Sequence, residues 1–170
     1  MKKFETRAIH DGSDPDPTTG AVITPIYATS TFKQESPGVH KGFDYGRSHN
    51  PTRFALEKCI ASLEGGASGF AFSSGMAAAS SILELLPKDS HIIAIDDLYG
   101  GTFRLFERVK KQSTGLSVSY LSVEEIENLS SHVKSNTKMV WVETPTNPML
   151  KLVDLEKVAA QGKKHGLILV

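Results

Sequence analysis

The sequence predicts an α/β domain built on a mostly parallel sheet with flanking helices, preceded by a long irregular arm. Three observations carry this. From Ser68 onward, short apolar runs alternate with helical runs, the β-α-β-α order that produces parallel strands joined by crossover helices. The apolar runs, such as His91-Ile92-Ile93-Ala94-Ile95, are nearly continuous, as strands covered on both faces are. Residues 1–50 are instead dense in turn chemistry: Asp11-Gly12, Asp14-Pro15, Asp16-Pro17 and Thr18-Thr19-Gly20.

Composition bounds the function. The chain has 170 residues, 39% hydrophobic and 22% charged, enough for one domain that buries roughly 70% of its unfolded surface. Lysine plus arginine and aspartate plus glutamate both number 19, so there is no basic footprint for nucleic acid or anionic lipid. One cysteine, Cys59, excludes an internal disulfide and suits a reducing compartment. The start carries Lys2, Lys3 and Arg7 without an apolar run behind them, so no signal peptide is expected. No apolar stretch is long enough to cross a bilayer. A cytoplasmic protein is expected, with neither nucleic-acid nor membrane partners.

In chain order, Ala21 to Phe32 is apolar but broken by Pro25. Its Ile23, Ile26, Tyr27 and Phe32 are too apolar for a solvated tail, so residues 1–50 are expected to be an arm that is either a functional segment or one that packs on a partner. Asn50-Pro51 reads as an N-cap with proline at the first helical position, opening a helix to Glu64 that Gly65-Gly66 stops. Leu56, Cys59, Ile60 and Leu63 recur at helical spacing, predicting one buried face with Cys59 in it. Strands are expected over 69–72, 91–95, 117–121, 138–142 and 167–170. Helices are expected over 76–86, 102–111, 123–133 and 154–165. The arm (1–50) and the α/β domain (51–170) are the two predicted parts.

Ligands of such sheets bind beyond the carboxyl ends of the strands. Three clusters fall there: Ser73-Ser74-Gly75-Met76-Ala77, Asp96-Asp97-Leu98-Tyr99-Gly100-Gly101-Thr102, and Glu143-Thr144-Pro145-Thr146-Asn147-Pro148. The first is a turn of small residues entering a helix, whose free N–H groups and dipole can hold a phosphate. Taken alone, such a turn is more often a capped helix and nothing more. A fourth cluster would follow 167–170, but the sequence stops there, and a chain ending on a buried-strand pattern reads as cut.

Taken with Tyr45-Gly46-Arg47-Ser48-His49-Asn50-Pro51-Thr52 and the stretch from Thr6 to Phe32, these clusters closely resemble the pyridoxal-phosphate (PLP) enzymes of cysteine and methionine metabolism. These are the cystathionine γ-synthase, γ-lyase and β-lyase group, of fold type I, and the resemblance covers essentially the whole chain. It implies that Ser74, Gly75 and Met76 hold the PLP phosphate. Tyr99 would stack on the pyridine ring as the one catalytic-site aromatic, and Asn147 and Glu143 would belong to the cofactor site. Tyr45 and Arg47 would reach the phosphate of a neighbouring subunit, arginine binding it through its planar fork. Asp44 would meet the distal ammonium of an amino-acid substrate, again across the interface. A homodimer would be the smallest active unit, and the resemblance implies a homotetramer. Gly101 stands where methionine γ-lyases usually carry cysteine, Gly46 replaces a commoner serine, and His49 is a variable position.

The same resemblance implies that the Schiff-base lysine and the aspartate facing the pyridine nitrogen come after Val170. No lysine present sits in a Ser-x-Thr-Lys pattern. The expected function is therefore PLP-dependent cleavage or formation of the C–S bond of cystathionine-type substrates, with the 170 residues inactive alone. The alternative is a non-catalytic fragment that binds the cofactor phosphate or pairs with other subunits. An unrelated nucleotide-binding module is disfavoured, since neither G-x-x-x-x-G-K-[ST] nor G-x-G-x-x-G occurs.

Overall fold

A computed structural model describes residues 2–170. By internal contacts the chain forms two units, one ending at Phe72 and one spanning Ser73–Val170.

The second unit is organised on β1 (His91–Ile95), whose residues are all buried. Parallel strands flank it on both sides: β2 (Ser117–Leu121) and β3 (Thr137–Trp141). A short β4 (Ile168–Leu169) pairs with the far side of β3, giving the order β2-β1-β3-β4. The expected parallel sheet is thus present. β4 is shorter than the predicted 167–170, although Val142 N–H to Val170 O (2.8 Å) and Val170 N–H to Val140 O (2.9 Å) continue the pairing. It is also half-exposed, as an edge strand is.

Helices α3 (Gly75–Leu83), α4 (Gly100–Arg104), α5 (Lys111–Thr114), α6 (Val123–Ile126) and α7 (Leu155–Lys164) accompany the sheet. Between α4 and α5 the chain stays helical but widens to i→i+5 winding over Leu105–Lys110. The predicted helix 123–133 is cut short. Ser122 and Glu125 form a reciprocal capping box. Asn128 then turns its amide onto the Glu124 carbonyl at 2.9 Å, a local bond that competes with helix continuation. A single 3₁₀ turn follows, Leu129–His132. Ile126 and Leu129 are nevertheless both fully buried, so the apolar spacing served packing rather than one long helix. Phe106 meets Trp141 edge-on, centroids 5.4 Å apart, in the middle of the core.

At the amino edge of the sheet His91 is fully buried. Its Nδ1 lies 2.8 Å from Thr137 Oγ1, and its Nε2 lies 2.9 Å from Ser119 Oγ. Lys134 Nζ reaches Nε2 at 3.2 Å. Burial, and then the Lys134 charge, push the imidazole down to about 4. It is therefore neutral, with Nε2 accepting and Nδ1–H donating.

The first unit holds α1 (Phe4–His10) and α2 (Pro51–Leu63). The arm is thus not wholly irregular. α2 takes its partners from it, which is why the contact boundary falls at Phe72 rather than at residue 50. Arg7 donates to the Ser62 carbonyl, and Ser62 Oγ donates to Asp11 at 2.6 Å. Gly12, at φ +85°, lies so close to α2 that a side chain there would strike Ala55 O and Cys59 N. Asn50 caps α2 as predicted, accepting from Thr52 N at 2.9 Å.

Two expectations fail in this unit. Residues 69–72 form no strand: the Ala71 N–H bonds the Glu57 carboxylate (2.9 Å) instead of a ladder, and Phe70 is 78% exposed. The predicted buried face of α2 is not buried either, since Leu56 and Ile60 are about half exposed and Cys59 only partly covered. The helical period is real, but the described residues cover that stripe only in part, Gly12 lying against Cys59 while Leu56 and Ile60 stay half exposed.

Candidate functional site

Within the second unit, Ser74, Gly75, Met76, Tyr99 and Glu143 line one cavity of about 510 Å³. Ala79, Thr102 and Trp141 complete its wall. It opens at the carboxyl ends of β1 and β3, where open α/β sheets place their ligands.

α3 enters the cavity through its N-terminus. Ser74 is the N-cap in extended conformation, and its Oγ accepts from Ala77 N at 3.1 Å. The Ala78 N–H bonds the Ser74 carbonyl. The N–H groups of Gly75 and Met76, the first two of the helix, have no intrahelical acceptor. They are left as donors at the positive end of the helix.

Tyr99 follows β1 and begins α4. Its ring is half-exposed and lies close against Gly101: a Cβ on Gly101 would strike the Tyr99 ring and the Met76 sulfur. Glycine at 101 thus has a steric reason of its own. Glu143 accepts from the Tyr99 N–H at 2.9 Å and from Thr102 Oγ1 at 3.4 Å. The carboxylate acts as a cap for α4, anchoring the residue that presents the ring.

Asn147 is exposed, lies outside the cavity lining, and has no hydrogen-bond partner among the described residues. Its neighbour Thr146 is fully buried and donates to Asp97 Oδ2 at 2.5 Å. Asp44, Tyr45 and Arg47 belong to the first unit. There Gly46 N–H bonds Ser30 O at 2.7 Å and Phe32 N–H bonds Asp44 O at 2.9 Å, holding their loop. A Cβ on Gly46 would meet Thr29 O at 2.5 Å, so this backbone path asks for glycine. Arg47 lies over the Tyr45 ring, 5.0 Å from its centroid, and both side chains are exposed. Sequence reasoning missed Thr102, Trp141, Asp97 and Thr146. Asp97 and Thr146 lie inside the Asp96–Thr102 and Glu143–Pro148 clusters with no local sign of a role, and their pairing spans 49 positions.

The profile of the Cys/Met metabolism PLP-dependent enzymes matches residues 5–170. The chain belongs to this family. It is 55% identical over 167 residues to a cystathionine beta-lyase of Coxiella burnetii, covering 98% of this chain and 43% of that protein. It is 44% identical to a probable cystathionine gamma-synthase of Herpetosiphon aurantiacus, covering 96% and 51%. The structure of a cystathionine gamma-lyase from Lactobacillus plantarum complexed with L-serine superposes with a TM-score of 0.92 at 41% identity, covering 99% of this chain and 44% of that one. The chain therefore spans about half the length of the relatives it matches, or slightly less.

The cavity fits the family's cofactor. A phosphate dianion needs unpaired donors, which Gly75 N–H, Met76 N–H and the Ser74 hydroxyl provide. A pyridine ring needs a flat wall, which Tyr99 provides. No arginine or lysine lines the cavity, so within this unit the helix N-terminus alone would face the phosphate charge.

Proposed function

We propose that this chain forms the phosphate- and ring-binding part of a PLP-dependent enzyme that cleaves or forms the C–S bond of cystathionine-type amino acids. When bound, PLP supplies an electron sink for bonds at the substrate's Cα and beyond. The observation that carries the reading is the placement of the unpaired Gly75 and Met76 N–H groups in one cavity with the Tyr99 ring. Those N–H groups bind the phosphate. Tyr99 covers one ring face and excludes water from it. Glu143 holds Tyr99 in place, and Asn147, whose amide has no other described partner, donates to the cofactor's phenolic oxygen.

The arm completes the site in a homo-oligomer. Among the described residues no cation lines the cavity, and Arg47 is an exposed arginine whose guanidinium lies over the Tyr45 ring without a hydrogen-bond partner among those residues. Tyr45 and Arg47 would bind the phosphate held by a neighbouring copy, and Asp44 would take the distal ammonium of the substrate. A dimer would then be the smallest complete unit, with a tetramer built from dimers. The half-exposed Leu56 and Ile60 of α2, beside the arm, support a surface made to be packed against.

A second reading has its own observation. No lysine lines the cavity, so these residues by themselves offer the cofactor no amine there. The 170-residue chain alone would bind PLP, or pair with other subunits, without turning over substrate.

Titration of the chain with PLP, followed by borohydride reduction and mass mapping, tests both. Saturable binding that inorganic phosphate competes away, without stoichiometric labelling of one lysine, is the expected result. Absence of saturable binding would overturn the proposal, and labelling of a single lysine would overturn its second part.

A further inference from the structure

The loops that follow β1 and β3 exchange carboxylates. Glu143, from the loop after β3, accepts from the Tyr99 N–H (2.9 Å) and Thr102 Oγ1 (3.4 Å), both in the loop and helix after β1. Asp97, from the loop after β1, accepts in return from Thr146 Oγ1 (2.5 Å) and the Met149 N–H (2.9 Å). Thr146 is fully buried, and its hydroxyl also accepts from the Lys151 N–H at 2.8 Å. Its own N–H donates to the Lys151 carbonyl at 3.0 Å, closing the loop on itself. Lys151 Nζ adds an outer bond to Asp96 at 3.2 Å. Charge-assisted bonds of this length are the strong ones, and a buried hydroxyl shared between two partners fixes both.

The residues this exchange locks are adjacent to the ones that would touch the cofactor. Asp97 lies two residues before Tyr99, and Thr146 directly before Asn147. We propose that Asp97 and Thr146 are positioning residues: their hydrogen bond sets Asn147 against Tyr99, so that the ring wall and the amide donor address one bound cofactor together. The inference rests on the reading of this cavity as a PLP site. It assigns Asp97 and Thr146 a role that acts through Tyr99 and Asn147 rather than by contact with the ligand.

Two consequences separate this from a merely structural bond. Loosening one loop should loosen the other, and a bound cofactor should change orientation, not only occupancy. Thr146→Val keeps the volume and removes the hydroxyl. Thr146→Ser keeps the hydroxyl and removes the methyl. Hydrogen exchange of the PLP-free chain reads the coupling. In Thr146→Val, amides 97–104 should exchange at least about tenfold faster, the loss of one charge-assisted bond, while Thr146→Ser should match the parent. Unchanged exchange at 97–104 in Thr146→Val would overturn the clamp, as would a serine variant as defective as the valine one. Circular dichroism induced in bound PLP reads the orientation. The expected outcome is a reduced signal at saturating PLP in Thr146→Val and Asp97→Asn, with competition by inorganic phosphate unchanged. A full signal in both variants would overturn the inference. Failure of the parent chain to bind PLP would instead overturn the proposed site, a result the exchange experiment does not depend on. Should Asp97→Asn fail to fold, judged by Trp141 emission, the two Thr146 variants still decide.

Discussion

The ammonium of Lys134 stands 3.2 Å from Nε2 of His91, a fixed positive charge against a buried imidazole. The imidazole can accept from it only while neutral. Its folded value of about 4 lies below the ordinary 6.5, so the unfolded chain binds more protons between these values. Stability is then fully present above pH 6.5 and is lost as pH falls toward 4.

Between pH 7.5 and pH 5 this histidine should remove about 2 kcal/mol of stability from the second unit. Urea unfolding followed by Trp141 emission measures it. His91→Gln should flatten the dependence in that window. A parent protein equally stable at both pH values would mean that His91 is not held neutral.

Gly101→Ala should damage the site more than the fold. The added methyl would press on the Tyr99 ring and the Met76 sulfur; both line the cavity, and Met76 touches the core only from its edge. PLP affinity should fall by about tenfold or more, while urea stability changes by about 1 kcal/mol or less. Binding titrations paired with unfolding curves compare the two.

Phe106→Ala should cost about 3–5 kcal/mol. The ring is fully buried and edge-on to Trp141, so the cavity would open beside the sole tryptophan. A red-shifted Trp141 emission together with a lowered unfolding midpoint is the expected pair of signals.

Asn50→Ala should loosen α2 locally, by about 1–2 kcal/mol. Its side chain caps the helix through Thr52 N and also donates to Tyr27 O at 3.0 Å. Hydrogen exchange should accelerate in the first turns of α2 with little change at β1 or β3. Equal acceleration in both units would mean that they unfold together.

Where neighbours in sequence decide the structure, the sequence was readable. The continuous apolar run of β1, the Asn50 and Ser74 caps and the parallel order all emerge as expected. Departures came from a distant partner in one case and from a local side-chain bond in another. Gly69–Phe72 has strand composition, but the amide of Ala71 is satisfied by Glu57 across α2's surface. The 123–133 pattern spaces Ile126 and Leu129 for the core while Asn128 breaks the helix between them. In the site, Ser74, Gly75, Met76, Tyr99 and Glu143 do share a cavity. Nothing local foretold that Glu143 spends its carboxylate on the Tyr99 amide, or that Asp97 answers with Thr146. Such pairs are made by the register of β1 beside β3, which no motif encodes.

None of the fully or nearly fully buried residues lies in the 2–72 stretch; all belong to the second unit. Heat capacity of unfolding scales with the apolar surface newly hydrated. A calorimetric transition of this chain should therefore carry a heat-capacity step set mainly by residues 73–170. The arm and α2 should melt as a broad, low-enthalpy shoulder. Sharpening of that shoulder with rising protein concentration would be the thermal signature of a stretch whose cooperativity is supplied by another molecule.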